Sequence, residues 1–301
     1  MTNTFPMTLL AQIDDVAVFQ TSAFFSDETA KVEVLDSKSM QADKKSKANY
    51  GELNLGLHVK DDATRVLNNR MRLLAAINEQ IINVMPNNEQ RTKIKRLHWV
   101  NQVHGKQIQN IDFAALSMEP MAADAMISKQ AGLGLAIMTA DCVPIVLYQP
   151  TSGQIAAIHA GWQGLACGII QATVQGFTES GEIKAWIGVC ISQASYEVGH
   201  HVRDQLFAGC VENQSLAVSD LESFDQRYVI NSEAGDTDKL KLDLPMLAAD
   251  QLKATGATLA DELPKSCSYA DTRYYSYRRQ THLHQPATGR MALVIVRCDA
   301  M

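Results

Sequence analysis

Hydrophobic and polar positions along this chain follow two different periods. Residues 16–25 are dense in Val and Phe between acidic and polar neighbours, which predicts an early strand. Asp61 or Asp62 can cap a helix whose apolar stripe is Leu67, Met71, Leu74, Ile77 and Ile81, and Pro86 closes it. Leu97, Trp99, Asn101 and Val103 alternate at strand spacing and lead straight into His104-Gly105. An apolar segment then ends at Asp141-Cys142, a run follows over 145–148, and a strand over 155–158 ends at His159. Residues 161–177 read as a helix and 185–189 as another strand. Asp243 caps a helix that Gly256 can end, and 292–296 forms a terminal strand.

Helices and strands interleave without a regular βαβ period, internal repeat or low-complexity linker. That pattern predicts one α+β domain over residues 1–301 with a mixed sheet. Residues 26–50 are polar and Lys-rich and read as a loop or insertion, with Lys44, Lys45 and Lys47 on a solvated face. With 301 residues, 46% hydrophobic and 20% charged, the chain lies far from the composition of disorder. Its 27 basic and 33 acidic residues leave a net charge of −6, which gives no pull toward nucleic acid or an anionic membrane. The most apolar stretch, 131–148, is interrupted by Asp141 and Pro144, so it reads as buried core, since a membrane helix needs about 20 clean apolar residues. No Lys or Arg precedes Lys31, and none of the six cysteines forms a CxxC pair. A cytoplasmic protein with reduced thiols is the expectation.

Three reactive side chains stand at the ends of expected strands beside turn-forming residues. They are His104 in Asn101-Gln102-Val103-His104-Gly105, Cys142 in 139–144, and His159 in His159-Ala160-Gly161-Trp162. Two imidazoles and a thiolate from distant segments suit a catalytic zinc site with its fourth position open, and copper also fits this donor set. Asp141 is a carboxylate in an apolar stretch, expensive unless paired, and so a candidate to orient a ligand or to act as an acid or base. The same residues allow a metal-free reading in which Cys142 is a thiolate nucleophile activated by His104 or His159. Ser276-Tyr277-Arg278-Arg279 offers a planar cation for phosphate or carboxylate. The remaining cysteines read as structural, and His200, His201, His282 and His284 as surface residues.

Taken in order, Asn54-Leu55-Gly56-Leu57-His58-Val59, Asn101–Gly105, Ala123-Asp124-Ala125, Thr139–Pro144, His159–Trp162, Ser195–Gly199 and Ser276–Arg279 resemble the YfiH-like family, formerly called the multicopper polyphenol oxidase or laccase domain. The resemblance covers about residues 50–297. It implies a layered α/β/β/α sandwich with mixed sheets and zinc held by His104, Cys142 and His159. It also implies a substrate site that includes Asn54 and Arg278, with a small-molecule nucleoside and phosphate as partners. The activity implied is purine nucleoside phosphorolysis, including that of methylthioadenosine, together with adenosine deamination. Alternatives attached to the family are removal of L-serine from a muramoyl nucleotide precursor and copper-dependent polyphenol oxidation. The latter needs several coppers and more histidines than the eight present. The chain departs from the family pattern in having no glycine before Gly51 and in carrying Ser195 where members often have cysteine.

Overall fold

A computed structural model describes residues 5–24, 47–84, 93–114, 120–232 and 238–298. In chain order, β1 (Met7–Ile13) and β2 (Val16–Thr21) precede the long helix α1 (Ala63–Val84). Next come β3 (Arg96–His98), β4 (Ile108–Asn110), β5 (Ala125–Ser128), β6 (Leu133–Thr139), β7 (Val143–Gln149) and β8 (Gln154–Ala160). Short helices α2 (Trp162–Ala166) and α3 (Ile169–Val174) lead to β9 (Lys184–Ile187) and β10 (Glu197–Gly199). Then follow α4 (His200–Glu212), α5 (Val218–Glu222), α6 (Phe224–Tyr228), β11 (Val229–Asn231) and β12 (Lys239–Leu242). The chain ends with α7 (Leu244–Ala254), β13 (Thr258–Leu259), α8 (Tyr277–His282) and β14 (Met291–Arg297).

Two mixed sheets stack face to face. One runs β1-β2-β14-β6-β3, antiparallel except where β3 joins β6. The other runs β13-β9-β7-β8-β5-β4, with both edge strands parallel to their neighbours. A small antiparallel sheet, β10-β12-β11, lies apart. The central strands β2, β5, β6, β7, β8 and β14 are buried on both faces, so they are largely apolar rather than alternating with polar residues, whereas the edge strands β1, β3, β4 and β13 are only partly buried. On β14, Leu293 and Ile295 enter the core between the sheets, whereas Ala292, Val294 and Val296 face the layer of α1. On β8, Ile155 and Ala157 face the intersheet core, while Ala156 and Ile158 meet the layer of α2, α3, α4 and α7. The period-2 split of each strand produces the α/β/β/α layering.

Several elements differ from the sequence expectation. The strand expected over 16–25 is β2, preceded by an unforeseen β1, and stops at Thr21; Phe25 lies outside the described residues, as do Pro86 and all of 26–50 except 47–50. Asn49, at the end of that segment, pairs with Thr288. The helix starts at the capping carboxylate of Asp62, which accepts the Arg65 N–H at 2.8 Å, and the expected stripe is buried at Ile77 and Ile81 but not in its first half. Val66, Leu73, Ile77 and Ile81 are buried, while Leu67 and Met71 are exposed. The strand foreseen over 97–103 shortens to β3, because the chain leaves the first sheet there to reach the second. The helix foreseen over 161–177 breaks into α2 and α3 at Gly168, whose φ of 78° interrupts the helical ladder. Asp243 caps α7 through the Met246 N–H, and Gly256 (φ 85°) follows its end, as expected. Among the described residues, no helix is long and apolar enough to cross a membrane.

Candidate metal centre and adjoining cavity

The site sits where the chain passes between the two sheets. His104 lies on the crossing from β3 in the first sheet to β4 in the second. Cys142 lies on the three-residue crossing from β6 to β7, and His159 near the end of β8, paired with Pro144. Topology therefore gathers three segments that are remote in sequence at one end of the sandwich. The ligating atoms of His104, Cys142 and His159 all lie within 4.8 Å of one another, and this is the one such group among the described residues. Cys142 Sγ is 4.0 Å from His104 Nε2, and the two imidazole rings stand edge to face with centroids 4.7 Å apart. Gly161 makes room for the cluster. A Cβ there would lie 3.1 Å from Cys142 Sγ and 3.3 Å from His104 Cδ2.

Asp124 holds this geometry. Its fully buried carboxylate accepts the N–H groups of Val103, His104 and Gly105 at 3.1, 2.9 and 2.6 Å, fixing a turn in which His104 takes a φ of 61°. The same carboxylate lies 2.9 Å from His159 Nδ1, leaving Nε2 for the cluster. One side chain therefore sets both histidines, the arrangement by which carboxylates orient metal-binding imidazoles. Burial would raise the Asp124 pKa, but the bonds from His159, Gly105 and His104 bring it below the usual carboxylate value. Burial also pushes the Cys142 thiol up, yet His159 and His104 overrule it and lower its pKa to about 6. His159 moves the other way, to about 9, because the attraction of Cys142 and the bond to Asp124 outweigh burial. The cluster thus favours a thiolate, the ionised form that a metal requires.

Asp141, expected to orient a ligand or to act as an acid or base, lines the cavity beside the cluster. Its carboxylate accepts the Ser268 hydroxyl at 2.7 Å and the Arg278 backbone N–H at 2.6 Å, tying the β6–β7 crossing (Asp141 φ 106°) to the start of α8. Asn54, expected at the substrate, is wholly buried and does not line the cavity. It bonds Gly56, Asp61 and the Arg290 N–H and so shapes the 54–58 turn. The residue of that motif which reaches the cavity is His58.

The cluster opens into a cavity of about 550 Å³, within the size range of sites for small organic ligands. Trp162, Tyr196, Ile191, Leu244 and Tyr277 supply apolar and aromatic walls. Arg278 and Arg290 also line it. Arg278 donates through Nη1 to the Glu197 carbonyl at 2.6 Å and lies 5.2 Å over the Tyr196 ring. Arg290 donates through Nη1 to the carbonyls of Thr288 and Gly289. Among the described residues both arginine side chains meet carbonyls rather than carboxylates, and each has further N–H donors for a ligand. Arg279 instead turns inward and donates to the carbonyls of Ser268, Tyr269 and Tyr274. The sequence pattern alone does not mark Asp124, His58 or Arg290 as site residues. Asp124 carried a usable signal, a carboxylate within the apolar stretch 123–127, whereas Arg290 carried none.

Fold and cluster together define a layered α+β protein with a three-residue His-Cys-His cluster able to hold a metal ion. Residues 38–298 match the family described as multi-copper polyphenol oxidoreductase laccase, and the chain belongs to that family. It is 33% identical over 252 residues to the Pseudomonas aeruginosa protein named purine nucleoside phosphorylase PA4543, covering 83% of this chain and 88% of that protein. It is 34% identical over 251 residues to the Escherichia coli K12 protein named purine nucleoside phosphorylase YfiH, covering 82% and 86%. The crystal structure of Neisseria meningitidis NMB0706 superposes with a TM-score of 0.68 at 25% identity, covering 97% of this chain and 99% of that one. The Bacillus licheniformis YfiH structure shares the fold, with a TM-score of 0.69 at 23% identity, covering 97% and 96%.

Proposed function

We propose that this protein is a zinc-dependent purine nucleoside phosphorylase of the cytoplasm. In this reading it acts on adenosine, inosine and methylthioadenosine and also deaminates adenosine. The observation that carries the reading is a single cavity bounded by the His104–Cys142–His159 cluster and by two arginines whose side chains, among the described residues, meet carbonyls rather than carboxylates. The names of the curated relatives support it. The donor set fits a metal, since two neutral imidazoles and a thiolate with one side open are a zinc combination, and a reducing compartment preserves the thiolate. Zinc held by His104, Cys142 and His159 would supply Lewis-acid polarisation of a substrate atom.

The chain's own groups account for binding. Arg278 takes the phosphate, matching a planar donor fork to its oxygens, and Arg290 adds a second cation to the cavity wall. Trp162, Tyr196 and Tyr277 offer faces to the flat purine, and the apolar walls exclude water that would compete with phosphate. Holding phosphate against the sugar turns a bimolecular encounter into an oriented one. The C1′–N9 bond breaks with its electron pair on the base, a phosphate oxygen bonds to C1′, and the proton of hydrogen phosphate ends on the base. In the deaminase arm, water replaces the 6-amino group, and ammonia is released.

The test is product analysis by mass spectrometry with adenosine and inosine, with and without phosphate, beside Cys142→Ala. Expected are phosphate-dependent nucleobase and ribose 1-phosphate, and inosine from adenosine without phosphate, all lost in the variant. Absence of product from both nucleosides refutes the reading.

A further inference from the structure

A second, smaller chamber of about 170 Å³ adjoins the main cavity. His58, Tyr277 and Arg290 line both and form the wall between them. Beyond that wall stand Lys60, Gln280 and Thr288. The volume falls below the range of a whole-ligand site, so the chamber suits a substituent of a molecule seated in the main cavity. Its lining contains Lys60 and Arg290 and no carboxylate, which selects an anionic substituent. Its donors come from three separate elements: the 57–60 turn, α8, and the loop before β14. The turn is anchored, since Tyr50 donates its hydroxyl to the Val59 carbonyl at 2.8 Å and Val59 is buried. Arg290 is also placed by shape. A Cβ at Gly56 would lie 2.8 Å from Arg290 Cγ, so that glycine leaves the space its side chain occupies.

We infer that this chamber is a subsite for an anionic group carried on the sugar's 5′ carbon, so that a purine nucleoside 5′-phosphate binds in preference to the unsubstituted nucleoside. This rests on the nucleoside reading of the main cavity. The base and sugar occupy the main cavity, the co-substrate phosphate meets Arg278, and the 5′-phosphate lies alongside Arg290, on the boundary of the two spaces, facing Lys60.

Isothermal titration of the metal-replete protein with adenosine 5′-monophosphate and with adenosine, each with and without saturating inorganic phosphate, tests it. Turnover of both compounds is measured alongside. Expected is at least tenfold tighter binding of the monophosphate, persisting in saturating phosphate. Lys60→Glu and Gln280→Glu each shrink that ratio at least fivefold, and two variants on different elements guard against one that fails to fold. Equal affinities, or a ratio that neither variant moves, overturn the subsite. A preference erased by inorganic phosphate also overturns it, because the 5′-phosphate would then sit in the co-substrate position. If neither compound is turned over but the charge-sensitive binding preference remains, the subsite stands and the phosphorylase reading fails. Turnover of adenosine without any binding preference gives the reverse.

Discussion

Replacing Asp124 by asparagine separates the organisation of the cluster from its ligands. Asp124 Oδ1 accepts from Val103, His104 and His159, and Oδ2 accepts from Gly105. The asparagine amide that keeps its oxygen toward the first three sets its NH₂ against the Gly105 N–H, donor to donor. One charge-assisted bond is lost in a fully buried site and the others become neutral, a cost of about 2–4 kcal/mol. The His104 turn loosens, and the His159 tautomer loses its fixed partner, so zinc affinity falls roughly 10–100-fold. Zinc competition against a chelator reads the second effect, and urea unfolding of metal-free protein reads the first. Asp141→Asn is the control: its carboxylate contacts Ser268 and the Arg278 N–H rather than either histidine, so it should change zinc affinity far less. Asp124→Asn with zinc affinity unchanged, or with a smaller loss than Asp141→Asn, would refute the assignment of the orienting role to Asp124.

Three further outcomes follow from the same geometry. Gly161→Ala should weaken metal binding by crowding Cys142 and His104, while chemical unfolding of the metal-free protein shifts by less than about 1 kcal/mol, because a φ of −71° suits alanine. Ile77→Ala should cost about 2–4 kcal/mol in a urea titration, whereas Leu67→Ala, half exposed on the neighbouring stripe of α1, should cost under about 0.5 kcal/mol; similar costs would mean that the buried stripe is misassigned. In metal-free protein, stability should fall as pH drops below 6.5. Burial with Arg290 and Arg70 lowers the His58 pKa to about 4, and burial with Arg96 lowers that of His98, so the unfolded chain takes up protons that the native state refuses. His159, raised to about 9, acts oppositely: its contribution is full below 6.5 and is lost as pH rises through 9. His98→Asn should flatten the acid slope of unfolding free energy against pH, and an unchanged slope would exclude His98 as a contributor.

The sequence exposed the ends of strands better than the phases of helices. His104, Cys142 and His159 were legible because each sits beside small or turn-forming residues where an apolar run stops, and a chain leaving a strand at that point must present a side chain at the sheet's end. In α1 the periodicity places Ile77 and Ile81 correctly but not Leu67 and Met71, because two adjacent stripes are apolar, one through Val66, Leu73 and Ile77 and one through Leu67, Met71 and Leu74. Polar residues decide between them. Asn69 donates to the Asn54 carbonyl at 3.0 Å, and Arg70 donates to the Leu55 carbonyl and lies over Trp99. These groups turn toward the protein because the 54–55 backbone offers acceptors that no sheet partner uses, a tertiary fact absent from hydrophobic periodicity. The same reason explains the two aspartates. A carboxylate in an apolar stretch must be paired, and that argument applies equally to Asp124 and Asp141. Which one meets the histidines depends on the register that sets Ala125 against Ile158 and so brings Asp124 beside His159. Pairing could be inferred from composition and neighbours, but the identity of the partner required the topology.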